Sequence, residues 1–166
     1  NPIITKSDSA EYQAFVQGLY VVLRELSRKI AQDGEGASKL LECHVSGAKN
    51  KKTARLLAKS VITSSLVKSA MFGQDPNWGR ILCAIGYSEG DFTIENVKVD
   101  LASSKGRETV CLNGTHHEFD LAVLEEILTE ETIFIYVDLG EGSAKATAWG
   151  CDLTYDYVKI NADYHT

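Results

Sequence analysis

The sequence predicts a mixed α/β or α+β domain, on three observations. Apolar residues recur at helical spacing through the first half of the chain and at a spacing of two through much of the second. No segment repeats and none is of low complexity. The 166 residues are 44% apolar with charges of both signs, a composition that can build a core and suits one compact domain or part of a larger one. Helices that come first and strands that follow favour packed layers of sheet and helix.

The elements follow in order. Ser7-Asp8-Ser9 offers N-caps for a long amphipathic helix on which Phe15, Leu19, Leu23, Leu26 and Ile30 recur at steps of three and four. Asp33-Gly34-Glu35-Gly36 ends it. Leu41, Cys43 and Val45 alternate with Glu42, His44 and Ser46, which predicts a strand with one buried face. Ala54, Leu57, Ala58 and Val61 share one face of a helix over about 51–62, Ser64-Ser65 interrupts, and Leu66, Val67 and Ala70 continue in a second piece. A further helix starts near Trp78. Phe92, Ile94, Val97, Val99 and Leu101 have strand spacing, and Ser103 to Arg107 reads as a charged loop. Asn113-Gly114 between Thr109–Leu112 and Thr115–Phe119 is the strongest hairpin signal. Asp120 caps a short helix, Thr132 to Leu139 is a strand, Gly140-Glu-Gly142 turns into Ser143 to Trp149, and Tyr157-Val158-Lys159-Ile160 reads as a last strand. A change of sub-domain falls near Glu89-Gly90-Asp91.

Composition also narrows function. Net charge is −6 and basic residues cluster only at Lys49 to Lys52, which argues against a nucleic-acid partner. No apolar run has the length of a membrane span and no signal peptide is visible. The four cysteines, at wide and irregular spacing, read as reduced core thiols of an intracellular protein, without a disulfide or zinc pattern. His116-His117 beside Cys111 does not make a metal site, because neighbours on a strand point to opposite faces. Residue 1 is Asn and the single Met is Met71, so the expectation is that a segment precedes residue 1.

Three strings stand out. In Asp33-Gly-Glu-Gly-Ala-Ser-Lys39, two glycines bracket a carboxylate, so Glu35 sits on a tight turn from which it can bind an ammonium group or accept a proton. On local grounds the same string is a helix C-terminal turn with an exposed Glu. In Phe72-Gly-Gln-Asp-Pro-Asn-Trp-Gly-Arg80, turn chemistry places Trp78 and Arg80 at a fixed corner, which also reads as a helix N-terminus with a packed Trp. Ala146 to Thr166 is rich in aromatic and β-branched residues and looks docked; there Asn161 offers a donor and an acceptor, and Thr166 a hydroxyl. By itself that string reads as a terminal strand stapled into a sheet.

Taken together and in this order, the three strings resemble the β chain of the ornithine acetyltransferases (glutamate N-acetyltransferases) of arginine biosynthesis, and the resemblance covers essentially the whole chain. It implies a layered α/β/β/α fold with a smaller C-terminal α/β lobe, residues 1–90 belonging to the main domain and 91–166 to the lobe, whose tail returns to the site. It implies a self-cleaving precursor whose β chain begins with a nucleophilic Thr, transfer of acetyl from N-acetylornithine to glutamate, and an α2β2 assembly with the α chain of the same precursor. No cofactor or metal is implied, although some members accept acetyl-CoA as donor. A bacterial cytoplasm is the expected compartment, with a mitochondrial matrix or a plastid as the alternatives.

Asn1-Pro2 is not the family's nucleophile-bearing start, so the Thr is expected upstream and no catalytic residue is assigned in this chain. Carried over by resemblance are three substrate contacts, Glu35, Asn161 and Thr166. The family commonly has Arg where His165 stands, which makes charge steering there pH-dependent. Trp78 and Arg80 are expected to be structural, orienting the corner near the site. Two other readings compete: a related N-terminal-nucleophile aminopeptidase or amidohydrolase that delivers its acyl group to water, and a non-enzymatic amino-acid-binding module.

Overall fold

The computed structural model describes residues 6–163. Six strands form one mixed sheet in the order β4-β3-β2-β5-β1-β6. They are β1 (Leu40–Ala48), β2 (Lys98–Ser103), β3 (Gly106–Leu112), β4 (Thr115–His116), β5 (Thr132–Asp138) and β6 (Ala144–Cys151). Only β1 and β5 run parallel; every other neighbouring pair is antiparallel. β1 precedes the expected sub-domain change at 89–91 and β2 to β6 follow it, yet all six strands share this sheet.

One face of the sheet carries the core. Leu41, Cys43 and Val45 of β1, Val99 and Leu101 of β2, and Ile133, Ile135 and Val137 of β5 point into a single apolar cluster. Helices α2 (Lys51–Thr63), α3 (Ser65–Phe72), α4 (Trp78–Gly86) and α5 (Leu121–Thr129) supply its other wall. The apolar stripe read from the sequence on α2 is the buried one: Ala54, Leu57, Ala58 and Val61. Caps set the helix boundaries. The Asn50 side chain accepts from Thr53 N at 2.9 Å, and the Asp120 carboxylate accepts from Ala122 N at 2.9 Å. Ser64 interrupts as expected, ending α2 and capping α3 with its hydroxyl.

The opposite face is polar and aromatic. Asp100 accepts from Arg107 and Thr109 and pairs with Lys98 at 3.1 Å. The Arg107 guanidinium lies 4.1 Å above the Tyr136 ring, and His44 stacks on Tyr136 at 5.0 Å. Helix α1 (Ala10–Gln32) crosses this face at the β6–β1 side, tied by Arg28 Nε donating to Glu42 at 2.7 Å. Trp149 Nε1 donates to the other oxygen of Glu42 at 3.1 Å. The long helix expected from the sequence is present, but none of its residues is buried, and Phe15, Tyr20, Leu23, Leu26 and Ile30 are all at least half exposed.

Several expectations need correction. Tyr157 to Ile160 is not a strand; it lies in helix α6 (Tyr155–Ala162), capped by Thr154 with Asp156 in its first turn. The β-branched and aromatic content pointed to extended chain, but the Thr154 N-cap decides for helix. Ile94 belongs to a 3-10 turn, Ile94–Asn96, and the strand starts at Lys98. The charged loop shrinks to a tight turn between β2 and β3, which pair up to Ser103 and Gly106. The Asn113-Gly114 hairpin is present, with Leu112 opposite Thr115 and positive φ at both turn residues, although β4 ends at His116 rather than Phe119. All four thiols are free; Cys43 and Cys111 are core residues, but Cys83 is exposed on α4. Burial pushes the Cys43 thiol up to about 12.

Candidate functional site

Sheet register builds the site. β1 and β6 are antiparallel and their pairing starts at Leu40 opposite Cys151. The segment entering β1, which contains Glu35, and the segment leaving β6, which leads into α6, therefore depart from the sheet side by side. Asp152 fastens them: its buried carboxylate accepts from Ser38 N at 2.9 Å, from Lys39 N at 3.1 Å and from the Ser38 hydroxyl, while its own N–H donates to Lys39 O at 3.1 Å. The Thr154 hydroxyl donates to Gly36 O at 2.5 Å. Gly36 has φ +66°, and a Cβ there would stand 2.7 Å from Tyr157 N, so only glycine lets the turn lie this close to α6.

The outcome is a contact between two of the three carried-over residues. Asn161 Nδ2 donates to Glu35 Oε2 at 2.6 Å across 126 residues of sequence, and also to Tyr157 O at 2.9 Å. Both side chains are exposed. Thr166, the third, lies outside the described residues, as does His165. A pocket of about 280 Å³ adjoins the turn, with Gly36, Ala37 and Ser38 on one side and Phe72, Thr154 and Tyr155 on the other. Phe72 and Tyr155 meet edge to face at 5.4 Å across it. An exposed carboxylate with an amide donor beside it can hold an ammonium group and orient what is attached to it.

Lys39 does not face this opening. It is buried, and its ammonium donates to Leu128 O at 2.8 Å and Glu130 O at 3.0 Å, closing the C-terminal end of α5. Burial pushes its pKa down, against the pull of the Asp152, Glu130 and Glu131 carboxylates.

Phe72 of the Phe72–Arg80 string lines this pocket, whereas Trp78 and Arg80 do not and make contacts within the fold. Arg80 Nη1 donates to Leu66 O at 3.1 Å, and Trp78 packs on the core and stacks on His116 at 5.9 Å. Among the described residues no group of three or more His, Cys, Asp or Glu is placed to hold a metal ion, and no helix is long and apolar enough to cross a membrane. A larger cleft of about 930 Å³ lies between α1 and the polar face of the sheet, lined by Arg28, Glu42, His44, Tyr136 and Trp149 among others; neither Glu35 nor Asn161 reaches it.

Sequence reasoning missed Asp152 and Thr154. The signal for Thr154 was present, a Thr followed two residues later by an acid, as at a helix N-terminus, but the β-rich composition hid it. Asp152 had no local signal, since its partners lie more than a hundred residues away.

The sequence pattern of the ArgJ family matches residues 3–166. The chain belongs to the ArgJ family. It is 51% identical over 156 residues to the arginine biosynthesis bifunctional protein ArgJ of Caldanaerobacter subterraneus, covering 94% of this chain and 39% of that protein. To the glutamate N-acetyltransferase of Methanosarcina mazei it is 49% identical over 155 residues, covering 92% of this chain and 39% of that one. The crystal structure of arginine biosynthesis bifunctional protein ArgJ from Bacillus halodurans superposes with a TM-score of 0.88 at 39% identity, covering 99% of this chain and 75% of that chain. The mixed α/β fold, a sheet core with flanking helices, is thus that of the ArgJ family. The chain spans about two fifths of the length of these curated relatives.

Proposed function

We propose that this chain is the part of a glutamate N-acetyltransferase that carries the substrate-holding Glu35, Asn161 and Thr166. The observation that carries the reading is the hydrogen bond between Glu35 and Asn161, made by two family positions 126 residues apart. Membership of a family with members named for glutamate N-acetyltransferase and for arginine biosynthesis supports it.

In this reading the nucleophile is a Thr at the start of the complete β chain, upstream of Asn1, produced by self-cleavage of a precursor. Its hydroxyl adds to the acetyl carbonyl carbon of N-acetylornithine, with its own α-amino group as base. The C–N bond breaks and ornithine leaves with the proton. The amine of glutamate then attacks the Thr acetyl ester, giving N-acetylglutamate and restoring the hydroxyl. Oxyanion donors come from the α chain, in an α2β2 assembly. Glu35 holds the ammonium end of the amino-acid substrate, Asn161 fixes the Glu35 carboxylate and offers its carbonyl, and Thr166 reaches a substrate carboxylate or amide.

The test uses the intact precursor with N-acetylornithine and glutamate, without acetyl-CoA, followed by mass spectrometry. Equal amounts of N-acetylglutamate and ornithine are expected; acetate and ornithine without N-acetylglutamate would identify a hydrolase instead. Glu35→Gln removes a charge-assisted contact and is expected to lower kcat/KM by about 10- to 10²-fold, the equivalent of about 1.5–3 kcal/mol. An unchanged kcat/KM takes Glu35 out of the site.

A further inference from the structure

We infer that Thr154 is the positioning residue of the Glu35–Asn161 pair, a single hydroxyl that holds the turn carrying Glu35 to the helix carrying Asn161. The inference rests on the reading of that pair as substrate contacts.

Side-chain packing does not hold the pair together: the ring contact of α6, Tyr155 on Phe72, reaches α3 and not the Glu35 turn. Glu35 is exposed on a turn, and α6 has no buried residue. The two segments must therefore be held by directed bonds, and Asp152 supplies only some of them. Its carboxylate grips Ser38 and Lys39, where the chain joins β1, and these bonds do not reach α6. Thr154 makes the missing link. It is 5% exposed; its hydroxyl donates to Gly36 O at 2.5 Å and accepts from Tyr157 N at 3.2 Å. One oxygen thus caps α6 and ties it to the residue next to Glu35. Gly36 completes the fit, since its lack of a side chain brings the turn against the backbone of Tyr157. Asn161 sits one turn of helix beyond Tyr157 and bonds its carbonyl, so any shift of the N-terminal end of α6 is passed to the Asn161 amide.

The experiment measures kcat and KM of acetyl transfer in the intact enzyme for a small set of variants, with thermal unfolding of each. Thr154→Val keeps the shape and loses both bonds; misplacing a substrate-holding group by about an ångström is expected to lower kcat/KM by up to about 10²-fold. Thr154→Ser restores the hydroxyl and is expected to return kcat/KM to within about threefold, Ser being as good a cap as Thr. Thr154→Asp separates the two bonds. It keeps the cap of α6, but an ionised carboxylate has no proton to give Gly36 O and is repelled by it, so kcat/KM is expected to fall with that of the Val variant while thermal unfolding shows the protein folded. A structural role alone would lower stability and leave Thr154→Asp active, which would overturn the inference.

A Glu35→Gln/Thr154→Val double variant adds a second readout. If Thr154 acts through the pair, its loss costs much less in the Glu35→Gln background than in the wild type. Fully additive losses would also overturn the inference. The two readings fail differently: an unchanged Glu35→Gln removes the site itself, whereas a damaged Glu35→Gln beside a folded, fully active Thr154→Asp removes only the role of Thr154.

Discussion

The two faces of the sheet are built on different principles. One is closed: alternate residues of β1, β2 and β5 meet α2 to α5 in a continuous apolar cluster. The other is organised by directed interactions, with Asp100, Arg107 and Thr109 at one end, His44, Phe134 and Tyr136 stacked in the middle, and Arg28, Glu42 and Trp149 tying down α1. A single strand serves both, because successive side chains point to opposite sides. On β5, Ile133, Ile135 and Val137 are buried while Phe134 and Tyr136 stay half-buried. The difference teaches that amphipathic pattern does not by itself guarantee burial. α2 and α1 have similar stripes, yet the stripe of α2 is buried and the apolar residues of α1 are exposed.

This contrast can be broken by substitution. The largest effect is expected on the closed face: Leu57→Ala should lower unfolding free energy by about 2–5 kcal/mol, read by chemical denaturation, because it leaves a cavity among fixed neighbours. Phe134→Ala, on the open face, should cost clearly less; equal costs would mean that the open face is packed as tightly as the core.

The Asp100 cluster sharpens the comparison through pH. Burial alone would push this carboxyl up, but hydrogen bonds from Thr109, Arg107 and Lys98 and the charge of Arg107 outweigh it and hold the pKa below the usual value. A depressed folded pKa contributes stability that is fully present above the unfolded value of about 3.9 and is lost as pH falls through the folded one. Asp100→Asn should therefore cost about 1.5–3 kcal/mol at neutral pH and flatten the acid limb of a pH–stability curve. An acid limb identical to wild type would place its origin elsewhere.

The smallest effect belongs to His44. Burial lowers its pKa, and the carboxylate of Glu42 opposes this less strongly, so the folded protein favours the neutral ring stacked on Tyr136. Its contribution is present above about 6.5 and is lost as pH falls through the lowered value. Melting temperatures measured between about pH 7 and pH 5 should fall more for wild type than for His44→Gln. Equal slopes would mean that the stack tolerates the imidazolium.

Much of this was legible in the sequence, and the parts that were share a physical basis. The boundaries of α3 and α5 follow from Ser64, read as an interruption, and Asp120, read as a cap, whose side chains bond amides two or three residues away. The β3–β4 turn follows from Asn113-Gly114, where positive φ is available at low cost. The stripe on α2 and the alternation on β1 are periodicities of single elements, set within a few residues. The motif strings led to Glu35 and Asn161 through resemblance, one residue at a time.

What the sequence by itself determined, then, is what neighbours along the chain can decide: caps, turns, periods, and the family to which the strings belong. Tertiary structure alone decided that the apolar side of α1 would stay uncovered in these residues, and that Asp152 and Thr154 would clamp the Glu35 turn. The reason is the β1–β6 register. Leu40 opposite Cys151 brings together segments more than a hundred residues apart, and no local pattern carries that pairing.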